Sequence, residues 1–472
     1  MLSLPSAAEP ILMSLSVAFT QPTFQRVVPL CVGAILAMGR RTVTAAMWTM
    51  RGAIRGHSST HHRVFSRAVW SLWPLGKVLA EAVLRWTAPH EPVLVAIDDT
   101  TAQHKGKRVY GKGCHHDAVR SSHSHVVWRW GHKWVVPAIS VKFPFTARRW
   151  ASPLLAALYR PEELNRSEGR RHKTPAQLAR QLVAVLIHWF PGRKFIVLGD
   201  GGYASHELAA FFHRHRRHVT LVSRFRGDAN LHLPVVQGKG RLGRPRLKGR
   251  KLPKPNEVVA RRRRVGATVT WHGGRSRRVE LVTGEGQWFK AGDGLAPVRW
   301  VFVHDVQGTH RDEYFFTTDP SLPGPRIVSL FTARWAIETT FQEMRAHLGF
   351  ETPRQRVAKS VLRTGPCLLG LFSLICLIFA EHCRHHRTIL LGDPGRGDIV
   401  VIARDQYAVD ASLAGLFEGQ PKHQRRVALP TLARTDGVAN VPAPLAKGVG
   451  QAMAHVACAE QPLRQPPSPR RG

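Results

Sequence analysis

"PVLVAIDDTT", residues 92 to 101, runs an unbroken apolar stretch, Val93 to Ile97, into two adjacent carboxylates, Asp98 and Asp99. A short apolar run so sharply bounded is the pattern of a strand buried on both faces, as in a sheet covered by helices. The acids stand where such a strand leaves the core. Because successive strand side chains point to opposite faces, only one of the two can serve a given site.

The pattern returns at "KFIVLGD", residues 194 to 200, a second short buried strand that ends on Asp200. Between the two, "HVVWRW", the turn "GHK" and "WVVPAISVKF" read as a hairpin of longer strands. A helix follows from Pro175 to Phe190, with Thr174 as N-cap, Pro175 in the first turn and Pro191-Gly192 as its stop. After Asp200, Ser205 caps a short helix through Phe212, and "HVTLVSR" makes another strand. The order is strand, strand, strand, helix, strand, helix, strand, an α/β chain.

A third acid lies in "FTARWAIETTFQEMR", residues 331 to 345, which reads as one amphipathic helix. At about 100° per residue, Phe331, Arg334, Glu338 and Arg345 share one stripe, beside a core stripe of Ala333, Ile337, Phe341 and Met344. Glu343 falls roughly 140° from Glu338 and is expected in solvent. On an isolated helix, Arg-Glu-Arg would be a surface ladder worth a few tenths of a kcal/mol.

The 472 residues carry 69 Lys and Arg against 31 acids, a net charge of +38. Such an excess points to a polyanion, nucleic acid before an anionic membrane surface, since no basic amphipathic anchor is visible. The longest apolar run, Pro366 to Ala380, is short for a bilayer and reads as a buried helix. The N-terminus lacks a charged segment leading into an apolar stretch with a cleavage site, so a cytoplasmic protein without a membrane partner is expected. Six scattered cysteines suggest reduced thiols.

The expected divisions are a helical, DNA-binding part over 1–88 and the first part of a catalytic core over 89–224. A basic loop with a β insertion follows over 225–310, the second part of the core with the Glu338 helix over 311–390, and a poorly defined, partly disordered tail over 391–472. Small basic helices and a helical cap on the core both remain open for 1–88.

Two acids at strand ends and one on a helix are the ligand set of a divalent-metal phosphoryl-transfer site, since hard cations take oxygen donors. In that order and spacing the residues resemble the DDE transposases of bacterial insertion sequences. The resemblance is to the group whose signature is Tyr, two residues, Arg, three residues, Glu, six residues, Lys. Phe331, Arg334, Glu338 and Arg345 stand at those spacings, "IDDTT" resembles the first-Asp strand, and "LGDGGYAS" the second.

The resemblance implies a ribonuclease-H-like core, a mixed five-stranded sheet flanked by helices, with a β-rich insertion and an N-terminal helical domain. It implies cleavage at element ends and strand transfer, with Asp98 or Asp99, Asp200 and Glu338 as catalytic metal ligands for two Mg²⁺ or Mn²⁺ ions. Asp99 aligns more simply than Asp98. The implied partner is double-stranded DNA, transposon ends and target, bound by a homodimer. Contacts to it are expected from Phe331, Arg334, Arg345, Lys105, Lys107, Arg244 and Arg246. Phe331 loses the signature hydroxyl, and Arg345 keeps the charge with a forked donor set.

Two other classes are open: a decayed or domesticated DNA-binding protein, and a ribonuclease-H-like nuclease with other substrates. Cys114, His115, His116, His123 and His125 match no common zinc-finger spacing. Gly243-Arg244-Pro245-Arg246 reads either as a loop on backbone phosphates or as a minor-groove hook. Trp271, Trp288 and Trp300 read as core of the insertion.

Overall fold

The computed structural model describes residues 7–117, 121, 124–146, 148–235 and 246–386. Arg244, His123 and the tail over 391–472 lie outside the described residues.

Five helices come first: α1 (Glu9–Ser14), α2 (Gln21–Leu36), α3 (Val43–Thr49), α4 (Ser58–Ser66) and α5 (Leu72–Leu84). Strand β1 (Val93–Gln103) follows, then β2 (Gly113–His116), β3 (Trp128–Val141), β4 (Trp150–Pro153) and β5 (Ala157–Tyr159). Helices α6 (Glu162–Ser167) and α7 (Pro175–Trp189) lead to β6 (Phe195–Gly199), α8 (His206–Arg214) and β7 (Val219–Arg224). The expected caps are present: Thr174 and Gln177 close a capping box on α7, and the Ser205 hydroxyl accepts from the Leu208 amide.

Three expectations for these strands change. β1 continues past Asp98 and Asp99 to Gln103, because β3 pairs with it along that whole length, Val95↔Ile139 to Gln103↔Gly131. The acids are therefore mid-strand for β3, yet they lie just beyond the last parallel pair with β6, Ile97↔Gly199. The expected turn at Gly131-His132-Lys133 does not form. β3 passes straight through it, and Gly131 is required because a Cβ there would stand 2.1 Å from the Ala102 carbonyl oxygen.

The third change is in the insertion. Its strands are β8 (Leu231–His232), β9 (Val265–Thr270), β10 (Ser276–Lys290) and β11 (Gly294–Asp305), with α9 (Pro255–Arg261) between β8 and β9, and β12 (Glu313–Thr317) follows them. They do not form a sheet of their own. β10 and β11 join through β12 to β7, giving one mixed sheet in the order β2-β3-β1-β6-β7-β12-β11-β10-β8. β7 would otherwise be an open edge with unpaired backbone groups. Trp271 and Trp300 are buried and Trp288 packs on Phe225 and Phe316, so all three belong to the core.

Helices α10 (Gly324–Ala333), α11 (Ala336–His347) and α12 (Ala358–His386) complete the described chain. The apolar run from Pro366 is the middle of the longer α12. By length and composition its Ala358–Arg384 segment could cross a bilayer, with an 18-residue window of mean hydropathy 2.0, but 72% of that window is buried inside the protein.

The sheet separates two cores, and β1 feeds both. Val93, Val95 and Ile97 face one core, with Ala179, Leu182 and Val183 of α7. Leu94 faces the other, with Ile196, Leu198, Val222 and Ile327, Val328 and Phe331 of α10. Leu94 of β1 and Ile196 and Leu198 of β6 thus point toward α10, and Val93, Val95 and Ile97 toward α7.

Candidate active site

This alternation separates the adjacent acids. Asp98 continues the even-numbered face of β1, and Asp200 continues that of β6, one step past the Ile97↔Gly199 pair. The two are level with each other on the α10 side. Gly199 keeps the turn tight, since a Cβ there would lie 2.8 Å from the Tyr203 Cβ. The Asp200 carboxylate accepts from the Gly202 amide at 2.9 Å, and its carbonyl accepts from the Ser223 hydroxyl at 2.7 Å.

The third acid arrives on a bent helix. Residues 331–345 are not one helix: α10 ends at Ala333 and α11 begins at Ala336. Through the join, the amides of Arg334, Trp335, Ile337 and Glu338 bond three residues back, to Phe331, Thr332, Arg334 and Trp335. This tighter turn advances each residue by about 120° rather than 100°, and it removes Phe331 from the polar stripe. Phe331 is buried in the α10 core, stacked on Phe315 at 4.1 Å between ring centres, so its ring is closed to DNA in this structure. The Arg224 and Arg334 guanidiniums lie 5.8 and 5.7 Å from its centre.

Arg334 is buried and forks between two acids, donating to Asp98 Oδ2 at 2.7 Å and to Glu338 Oε1 at 2.5 Å. Burial pushes the Asp98 carboxyl up to about 7. Arg334 opposes that rise, while Asp200 and Asp99 add to it. Burial works against the Arg334 charge as well, but Asp98, Glu338 and Asp200 outweigh it and hold the guanidinium above its usual value. Both forks of Arg334 are therefore engaged by acids rather than open to a phosphate.

Asp99 faces the other way. It pairs with Lys133 of β3 at 2.9 Å; burial raises its carboxyl and Lys133 opposes the rise. Tyr203, fully buried, is pushed well above the usual phenol value by burial and then by Asp99, Asp98 and Asp200. The structure thus groups Asp98, not Asp99, with Arg334 and Glu338, contrary to the simpler alignment. Among the described residues no three acidic, histidine or cysteine side chains stand close enough to hold one ion, since the Arg334 guanidinium lies between Asp98 and Glu338.

Arg345 donates to the Thr100 hydroxyl and lies 3.9 Å from Glu351, which also approaches Arg129 at 3.9 Å. Burial lowers the Arg345 guanidinium. Glu343 is not in solvent: its side chain is largely buried and lies 3.4 Å from His347. Lys105, Lys107 and Arg246 are exposed. In the Cys114-His115-His116 run, His115 is buried against Tyr159, and strand alternation turns it away from Cys114 and His116.

Sequence reading missed several members of this neighbourhood. Lys133 sat in the supposed turn, and Tyr203 passed as part of a motif. His272, in the turn between β9 and β10, packs 5.4 Å from the Trp335 ring and joins the insertion to the α10–α11 bend. Burial, then His310 and Arg334, push His272 down to about 4. The run Arg261 to Arg264 is exposed and visible in the sequence as charge alone.

Residues 14–278, more than half of the chain, match the family described as DDE superfamily endonuclease. The chain belongs to the DDE superfamily of endonucleases, and the match spans Asp98, Asp99 and Asp200 while stopping short of Glu338. No curated protein matches the sequence. Among solved structures, the piggyBac transposase in a synaptic complex with hairpin DNA, determined by cryo-electron microscopy, is similar at a TM-score of 0.41 and 11% identity. That similarity covers 93% of this chain and 85% of the other.

Proposed function

We propose that the protein is an insertion-sequence transposase that cuts DNA strands at element ends and joins them to target DNA, with Asp98, Asp200 and Glu338 as its acids. The observation that carries this reading is the shared guanidinium: Asp98 and Glu338, from a strand and a helix 240 positions apart in sequence, both accept from Arg334, with Asp200 level with Asp98. The strand order supports a five-stranded ribonuclease-H-like core. β4, β3 and β1 are successively antiparallel, and β6 and β7 run parallel to β1.

All three acids offer carboxylate oxygens, the donor type that hard cations take, so the set suits Mg²⁺ or Mn²⁺. Asp98, Asp200 and Glu338 would hold the ions, which when bound supply activation of the attacking oxygen and stabilisation of the leaving one. Arg334 supplies the positive charge that keeps Asp98 and Glu338 together before ions bind. Lys133 holds Asp99 at 2.9 Å, and through it the adjacent stretch of β1. Arg345, on the Thr100 side of β1, offers a forked donor set for a phosphate next to the acids. Double-stranded DNA held by a homodimer completes the reading.

A second reading is DNA binding without catalysis, and the guanidinium filling the gap between Asp98 and Glu338 favours it. Plasmid DNA carrying the segments that flank this reading frame separates the two. Strand breaks that need Mg²⁺ or Mn²⁺ and disappear in excess chelator support the transposase. Tight binding with no breaks under any of these ions contradicts it.

A further inference from the structure

The first residues of β3 carry an aromatic pair that the core does not use. Trp128 and Trp130 are 61% and 56% exposed. Two positions apart on one strand, they point to the same side. The pair Ala102↔His132 makes that side the one that carries Asp98 and Thr100. They border a cleft of about 720 Å³, to which Lys105, Lys107, Lys112 and Arg129 also contribute.

Lys112 Nζ stands 5.2 Å from the Trp130 ring centre, and Trp128 meets the His116 ring edge-on at 5.8 Å. The acid of the cleft, Glu168, is held by Arg160 at 2.5 Å and Arg170 at 3.0 Å, which leaves the lysine side cationic. Two indoles left in water beside each other forgo the gain of burial. Among cations they have the composition of a platform on which bases stack while the cations follow the backbone.

We propose that Trp128 and Trp130 bind unpaired nucleobases of a DNA strand, with Lys105, Lys107 and Lys112 on its phosphates. The location follows from β1, on which Asp98 and Ala102 lie about 13 Å apart at strand spacing, a reach of a few nucleotides. The side-chain path Thr100, Arg345, Glu351, Arg129 joins the acids to the cleft. That the strand is the one being cut rests on the transposase reading; the base binding itself does not.

Duplex DNA keeps its base faces stacked inward and can use the cations but not the indoles. Fluorescence anisotropy of the full chain therefore tests the site, with a labelled single-stranded oligonucleotide and the same sequence as a duplex. The proteins compared are wild type, the pair Trp128→Ala and Trp130→Ala, and the pair Trp128→Phe and Trp130→Phe. The alanine pair should weaken single-strand binding at least about tenfold and duplex binding less than about twofold. The phenylalanine pair should restore most of the loss. The salt slope should be unchanged, because no cation is removed. Equal losses on both substrates, or an unchanged single-strand affinity, would overturn the platform alone. Wild-type protein that binds neither form would overturn the transposase reading as well.

Discussion

Arg334 donates at 2.7 Å to Asp98 and 2.5 Å to Glu338 from a largely buried position, so removing it strands two carboxylates that, among the described residues, share no other basic partner. Breaking a buried pair costs about 3 kcal/mol or more, and Arg334→Ala should lower the urea midpoint accordingly, while Arg334→Lys keeps one of the two contacts and loses less. An alanine variant as stable as wild type would mean the fork is incidental. A second buried pair sets the acid limb of stability. Burial works to raise Asp305, but two bonds from Arg277 and the amides of His310, Gln307 and Thr309 outweigh it and hold the carboxyl well below its usual range. A depressed folded value contributes stability that is present above the unfolded value near 3.9 and is lost as pH falls below it. Wild type should therefore exceed Asp305→Asn in melting temperature at neutral pH, and the gap should close toward pH 3; a gap independent of pH would contradict the assignment. The candidate acids Asp98, Asp99 and Asp200 stood out in the sequence because apolar runs end on them. Which of Asp98 and Asp99 faces the helix was not, since either phase suits a strand buried on both sides.

Elements were legible where local chemistry decides them. The capped helices α7 and α8 and the strands β6 and β7 form as their caps and apolar runs predict. The errors came where long-range pairing overrides a local signal. Gly131 reads as a turn residue, yet it lies in the middle of β3 because the Ala102 carbonyl occupies the space of a side chain. Gly131→Val should accordingly cost about 1–3 kcal/mol as overpacking, measured by thermal denaturation, whereas in an open turn it would be nearly silent. The single helix expected over 331–345 failed for a related reason. A wheel at constant pitch cannot register the tightened turn at Arg334 and Trp335, which Phe331 on Phe315 below and His272 on Trp335 above hold in place. The insertion's attachment to β7 was equally hidden, because strand partners distant in sequence leave no periodic trace.

On the scale of the whole molecule, a net charge of +38 makes phosphate attraction the default. Replacing the exposed Arg246, Lys248, Arg250 and Lys251 with glutamine should reduce the log–log salt slope of duplex binding by roughly 3 to 4 without sequence preference. An unchanged slope would take that segment out of the DNA interface. The central claim, however, is that one face of the sheet gathers Asp98, Asp200 and Glu338 for strand cleavage while Asp99 serves only to position them. It is tested most directly by single-turnover cleavage of the flanking DNA in Mg²⁺ by Asp98→Asn, Asp99→Asn, Asp200→Asn and Glu338→Gln, with duplex binding measured in parallel. The account predicts that the variants at 98, 200 and 338 bind DNA as wild type does and lose cleavage by at least about a thousandfold, in line with about 4 kcal/mol of lost transition-state stabilisation. Asp99→Asn should retain measurable cleavage. An Asp98→Asn variant that cuts as well as wild type, with Asp99→Asn inactive, would contradict the account.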